Sequence, residues 1–251
     1  MSQWSLAVVC ESSSRSALAR EIAKKLDVPF FLGVPLGPFD FLLGVTDERV
    51  ELRLAGDEGL PLAVDFSRGA VNHRWRSKSQ SRDLLLRAIG GTGKKVLDLT
   101  AGLATDSFIL AGHGCHVTAL EKNPVVGILV QDALERGLRD PSISEICSRI
   151  SFQIGESVAF LAKCEAEFDV AYIDPMFPEK RKSALPKKEL QILQILSGVG
   201  NLKTDEALVA GAGRRVRRVV VKRPVDAPAL LRGVSSSIKG RSTRFDIYIF
   251  S

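Results

Sequence analysis

From Lys95 onward the chain repeats one unit, a short apolar run followed by a turn and a segment with helical period. Lys95 to Leu99, Cys115 to Leu120, Ile150 to Ile154 and Phe168 to Asp174 supply the runs. Thr105 to Ala111, Pro124 to about Arg136 and Glu156 to Lys163 supply the helices between them. Mostly apolar runs rich in β-branched residues are strands buried on both faces. Strands that alternate with helices pair in parallel, because each crossover carries a helix. A helix from about Pro186 to Leu196 precedes a further strand, Arg218 to Lys222, and SSSIKGRSTRFDIYIF closes the chain as two strands joined by a short turn. The expectation is a doubly wound α/β fold, a seven-stranded, Rossmann-like sheet with an antiparallel strand near its end.

The first part of the chain reads differently. Leu6 to Cys10 is strand-like, Ser12 to Ser14 offer caps for a helix over ALAREIAKKL, and FFLGVPLGPF holds glycines and prolines that end regular structure. FDFLLGVTDERVELRLAG alternates like two strands joined at Thr46-Asp47-Glu48, and PLAVDF makes one more. Residues 1–82 are therefore expected to form a small α+β domain ending in a basic hinge, and residues 83–251 the larger domain. The first carries no evident catalytic group and suits a lid or a docking surface.

At 45% hydrophobic and 25% charged, the 251 residues describe an ordinary globular protein, and the net charge of +6 favours a polyanionic partner. Cys10, Cys115, Cys147 and Cys164 form no CxxC pair, so neither a zinc site nor a disulfide framework is expected. No stretch approaches the roughly 18 apolar residues of a membrane span. The expectation is a cytoplasmic protein with no metal and no membrane contact, taken as a monomer although no residue pattern argues for that state. His73, Arg74, Arg76, Lys78 and Arg82 surround Trp75, either as a solvated linker or as a hinge that meets nucleic acid by charge and stacking. His113 and His116 flank a turn away from the ligand edge and are read as structural.

Two stretches carry chemistry. Asp98-Leu-Thr-Ala-Gly102-Leu-Ala104-Thr105-Asp106 follows the first strand of the sheet and opens a helix, and Glu121 stands at the tip of the next strand, where it can accept ribose hydroxyls. The full GxGxxG fingerprint is absent. An acid at the helix start suits a diphosphate poorly and a cation well. S-adenosylmethionine, with a sulfonium, an ammonium and no phosphate, fits that pattern. The corner Asp174-Pro175-Met176-Phe177 adds a second element: Asp174 and the Pro175 carbonyl can accept the protons of an exocyclic amine, and Phe177 can stack on a base. Glu179-Lys180-Arg181-Lys182 with Lys187-Lys188 form one basic flank; Arg214, Arg215, Arg217, Arg218, Lys222 and Arg223 form a second. Both are read as leaving the ligand edge and contacting phosphates.

These residues resemble a known family. VDFSRGAVNHR (64–74), LDLTAGLATDSF (97–108), LEKNPVV (120–126), YIDPMFPEKRKSALPKKE (172–189), VVVKRP (219–224) and RFDIY (244–248) are similar to the ribosomal small subunit methyltransferase J family, bacterial enzymes that methylate a guanine exocyclic N2 in 16S rRNA with S-adenosylmethionine. The resemblance implies an S-adenosylmethionine-dependent methyltransferase domain acting on 16S rRNA or the small subunit. It implies cofactor positions at Thr105, Asp106, Glu121, Lys122, Glu156, Ser157 and Asp174, with Asp98 and Gly102 intact. RNA contacts would fall on His73, Arg74, Lys180, Lys182, Lys187, Lys188, Lys222 and Arg223. The chain departs from the family's usual pattern at Ala104, where a second glycine is common, at Thr105, where a basic residue is usual, and at Glu156, where a serine is frequent. An N-methyltransferase for DNA bases or a protein amide, or a non-catalytic RNA-binding assembly factor, are the alternatives that the residues allow.

Overall fold

A computed structural model describes residues 4–33, 35, 37–56, 60–68, 75, 83–175, 192–193, 195–196 and 201–251. Two sheets organise them. The first has the order β2-β1-β3-β4, with β1 (Leu6–Cys10), β2 (Phe30–Leu32), β3 (Phe41–Val45) and β4 (Val50–Leu54). β1 pairs in parallel with both β2 and β3, and β3 pairs antiparallel with β4. α1 (Ser16–Leu26) makes the crossover from β1 to β2 by burying Ala19, Ile22 and Ala23 on one face. It ends at Asp27, whose φ of 54° is left-handed. β2 is a departure from expectation, since Pro29 and Gly33 bracket a segment that reads as a break. PLAVDF contributes only a bridge between Leu62 and Leu52.

The second sheet has the order β10-β11-β9-β8-β5-β6-β7. Its strands are β5 (Lys95–Asp98), β6 (His116–Glu121), β7 (Ile150–Ile154), β8 (Val170–Ile173), β9 (Arg218–Pro224), β10 (Ser236–Lys239) and β11 (Thr243–Ile249). All neighbours from β7 across to β9 are parallel, while β11 runs antiparallel to both β9 and β10. The chain steps outward from β5 to β6 to β7 and then returns to β8 beside β5. That reversal opens a crevice at the carboxyl ends of β5 and β8, where doubly wound sheets hold their ligands. The seven-stranded doubly wound sheet is as expected.

Helices α2 (Leu84–Ile89), α3 (Thr105–Gly112), α4 (Pro124–Arg139), α5 (Ser144–Cys147), α6 (Ser157–Lys163) and α7 (Leu202–Gly213) accompany these strands. Asn123 caps α4 by accepting from the Val125 and Val126 amides, with Pro124 at the first turn, where its missing N–H costs nothing. α5 and α7 are not expected from the sequence. Of the helix expected over about Pro186 to Leu196, the described residues 192, 193, 195 and 196 are helical. Among the described residues no helix is long and apolar enough to cross a membrane.

Strand alternation divides the core. Leu97, Ala171, Ile173, Val219 and Val221 face Leu208, Val209 and Ala212 of α7. Val96, Tyr172 and Val220 face the other way, into a core that includes Phe108 of α3 and continues to Leu6, Val8, Phe41 and Leu43 of the first sheet. Ionic contacts cross the same junction: Arg15 and Arg136 both hold buried Asp132, while Arg15 also donates to the Thr46 carbonyl and Arg136 to that of Val64.

Trp75 belongs to this junction. Its indole meets Phe108 edge-on at 6.4 Å, Phe108 stacks on Phe66 at 4.8 Å, and its Nε1 donates to the Gly112 carbonyl. The ring that sequence reading offered for stacking on nucleic acid is thus packed against α3. Its basic neighbours His73, Arg74, Arg76, Lys78 and Arg82 lie outside the described residues. A Cβ on Gly112 would collide with the Trp75 indole. Gly112→Ala is therefore expected to destabilise the protein by about 1–3 kcal/mol in urea unfolding. In a Trp4→Phe background it should also shift Trp75 emission to the red; unchanged emission would mean that the indole is not seated there.

Candidate active site

The carboxyl ends of β5, β6, β8 and β9, together with the start of α3, bring four carboxylates and one ammonium into a single neighbourhood. Asp98, the last residue of β5, is 1% exposed; one oxygen accepts from the Thr100 amide at 3.1 Å and the other from the Ser107 hydroxyl at 2.5 Å. Burial pushes its carboxyl up to about 7, against those two hydrogen bonds and with further upward pressure from Asp106 and Asp174. The chain then turns through Gly102, whose φ of 55° is left-handed and whose missing Cβ would point into open space. Ala104 also takes φ 55°, fully buried at the start of α3. A non-glycine residue there is strained by roughly 1–2 kcal/mol.

Glu121, at the tip of β6, braces that turn. Its Oε2 accepts from the Gly102 amide at 2.9 Å and its Oε1 from the Asn123 amide at 2.7 Å. Burial raises its carboxyl above the ordinary range in spite of those bonds. Each oxygen keeps a second lone pair, so hydroxyls of a ligand can still be accepted.

The densest contacts lie between β8, β9 and α3. Asp106 Oδ2 accepts from the Tyr172 hydroxyl at 2.7 Å and from Lys222 Nζ at 2.9 Å; the same Nζ donates to Asp174 Oδ2 at 2.8 Å. Asp174 is held from behind by its own amide, which donates to Thr100 Oγ1 at 2.6 Å. Its side chain is 37% exposed on the crevice side. Desolvation raises its pKa, Lys222 opposes that and Asp106 reinforces it. Burial alone would lower the pKa of Lys222, but Asp174 and Asp106 outweigh it and the net direction is upward. Tyr172 is pushed upward by burial and by Asp106 and Asp174, so its hydroxyl stays a donor.

The residues singled out from the sequence fall into four groups. Gly102, Thr105, Asp106, Glu121 and Asp174 share this edge, with Pro175 buried just beyond. Lys122 is exposed beside Glu121, and Glu156 is exposed at the start of α6, where its side chain makes no cap hydrogen bond. Asp98 lies beneath the turn with both oxygens committed, and the Ser157 hydroxyl donates to the Leu99 carbonyl at 2.6 Å, tying α6 to the end of β5. Phe177, Lys180, Lys182, Lys187 and Lys188 lie outside the described residues.

The second basic flank needs correcting. β9 runs parallel to β8, so Arg214, Arg215, Arg217 and Arg218 enter the sheet at the edge opposite Asp174. Lys222 is ion-paired inside the site. Arg223, one residue on, points to the other face and is 2% exposed, with Nε and Nη2 donating to the Pro228 carbonyl. None of these six forms a continuous phosphate-binding flank at the ligand edge. Sequence reasoning missed Tyr172, Thr100, Ser107 and Asn123; Tyr172 was findable, as a lone hydroxyl two residues before Asp174 on the same strand face.

A family model described as "Putative SAM-dependent methyltransferase" matches residues 37–250. The chain is 39% identical over 218 residues to the ribosomal RNA small subunit methyltransferase J of Dechloromonas aromatica (strain RCB), covering 84% of this chain and 89% of that protein. Its counterpart from Tolumonas auensis (strain DSM 9187 / NBRC 110442 / TA 4) is 38% identical over 251 residues, covering 97% and 98%. The crystal structure of a SAM-dependent methyltransferase from Neisseria gonorrhoeae superposes with a TM-score of 0.75 at 28% identity, covering 97% of this chain and 95% of that one.

A carboxyl whose folded pKa stands above its unfolded value stabilises the fold at low pH, and that contribution is lost as pH rises through the folded value. For Asp98 the window runs from 3.8 to about 7. Across it, urea unfolding of Asp98→Asn should gain on the unmodified chain by up to roughly 4 kcal/mol. A difference that stays constant with pH would contradict the buried, protonated carboxyl.

Proposed function

The chain belongs to the ribosomal RNA small subunit methyltransferase J family of SAM-dependent methyltransferases, and from that membership we propose that it methylates the exocyclic N2 of a guanine in small-subunit 16S rRNA. The observation that carries the proposal is the position of Asp174, an acceptor at the exit of β8, on the solvent side of an acidic crevice. The residues present fit S-adenosylmethionine: an acid at the start of α3 disfavours a diphosphate and favours a cation, Gly102 leaves room above the turn, and Glu121 keeps lone pairs for ribose hydroxyls. When bound, that cofactor supplies a methyl group already activated on a sulfonium.

The protein's own task is then placement. Asp174 and the Pro175 carbonyl accept the two amine protons and so turn the nitrogen lone pair toward the methyl group. Asp106 offsets positive charge near the start of α3, and Glu121 orients the ribose. A guanine must leave its stack to reach this corner, at roughly a few kcal/mol. Phe177 would receive the base, and His73, Arg74, Lys180, Lys182, Lys187 and Lys188 would hold the backbone; these assignments rest on the sequence. We keep residues 1–82 and 83–251 as the proposed units, with a cytoplasmic site of action.

Asp174→Ala is expected to abolish methyl transfer to undermethylated small subunits while RNA affinity stays within about twofold. Transfer near the unmodified rate, or loss of RNA binding instead, would overturn the role given to Asp174.

A further inference from the structure

We propose that Lys222 is a positioning residue of the methyl-transfer site, its ammonium fastening Asp106 of α3 to Asp174 at the exit of β8 so that the cofactor-side and base-side carboxylates keep one fixed separation. The inference rests on the functional reading above and goes beyond it, since the sequence places Lys222 among phosphate contacts.

Geometry carries the argument. The last registered pair between β8 and β9 is Ile173 with Val221, which brings residues 174 and 222 level on neighbouring strands. Val220 shares its strand face with Lys222, and Tyr172 pairs with Val220, so the side chains of Tyr172 and Lys222 rise on the face covered by α3. Asp106, in the first turn of α3, meets both of them. The three elements that build the crevice wall are thus joined at one nitrogen, 2.8 Å from one carboxylate and 2.9 Å from the other. Only 29% of the lysine side chain is exposed, and both carboxylate contacts lie within charge-assisted hydrogen-bond range.

Among the described residues, the titratable groups facing Asp174 are Asp98 from β5, Asp106 from α3, Tyr172 from β8 and Lys222 from β9. Asp106 disfavours a second negative charge there, and Lys222 favours it. Without the ammonium, Asp174 and Asp106 repel each other across the same gap, and Asp174 ionises at higher pH. A protonated Asp174 accepts from the amine more weakly than the carboxylate does, so loss of its charge appears as the acidic limb of the rate profile.

Lys222→Met keeps the length of the stem and removes the charge. Its kcat at pH 7 should fall about tenfold or more while KM for RNA changes less than about threefold. The acidic midpoint of kcat should move upward by about one pH unit, and Lys222→Arg should bring it back. A lysine that only fills space would leave that midpoint where it is. If Lys222→Met does not fold, Lys222→Gln, which keeps a donor without charge, replaces it. The same midpoint is read without catalysis from the carboxyl carbon signal of Asp174 in protein labelled at aspartate, assigned with Asp174→Asn. An unmoved Asp174 signal overturns the proposal, as does a moved signal with unchanged kcat. Absence of methylated RNA from the unmodified protein would instead overturn the proposed function, and the carboxyl titration would still decide for or against Lys222.

Discussion

Carboxylates gathered at one edge of a parallel sheet repel one another, and burial makes each costlier to ionise. Asp98, Asp106, Glu121 and Asp174 converge in this way, and the site exists because their charges are met in three different ways. Asp98 is sunk beneath the turn and pushed toward its neutral form. Glu121 receives two backbone amides. Asp106 and Asp174 share the ammonium of Lys222, with the Tyr172 hydroxyl as a further donor to Asp106. The outcome is a crevice that remains acidic toward solvent yet holds together, as a ligand carrying positive charge requires.

The fold sets up this convergence through register and strand order. Reversal of the strand order at β5 and β8 parts the loops above them, and the parallel pairing of β8 with β9 places Lys222 level with Asp174. The first sheet is fastened to the same framework by Arg15 and Arg136 around Asp132 and by the Trp75–Phe108–Phe66 contacts, which end on α3. Since α3 also carries Asp106, the junction between the two sheets and the acid proposed to face the cofactor share one helix.

Much of this was legible in the residues. Buried parallel strands announce themselves as apolar runs, and β5, β6, β8 and β9 emerge within a few residues of their observed bounds because their neighbours demand that pattern on both faces. PLAVDF shows the limit: it alternates like a strand, but only Leu62 pairs. α7 was missed because its Ala- and Gly-rich face buries little that marks a period. The arginine run misled for a geometric reason. Four steps along an extended strand separate Arg218 from Lys222 by roughly 13 Å, so the two, close in sequence, lie toward opposite edges of the sheet. Alternation then sends Lys222 into the site and Arg223 into the loop at Pro228. Ion pairing of that kind leaves no trace in a charge run, because the partner acids come from other elements.

The most direct measurement is transfer of radiolabelled methyl from S-adenosylmethionine, with undermethylated small subunits, naked 16S rRNA, duplex DNA and a protein extract offered side by side and the labelled product digested to nucleosides. Label in subunits or 16S rRNA that elutes as N2-methylguanosine is the expected result. Label confined to DNA or protein, or recovered on any other nucleoside, would contradict the assignment of this acidic crevice to guanine N2 of ribosomal RNA.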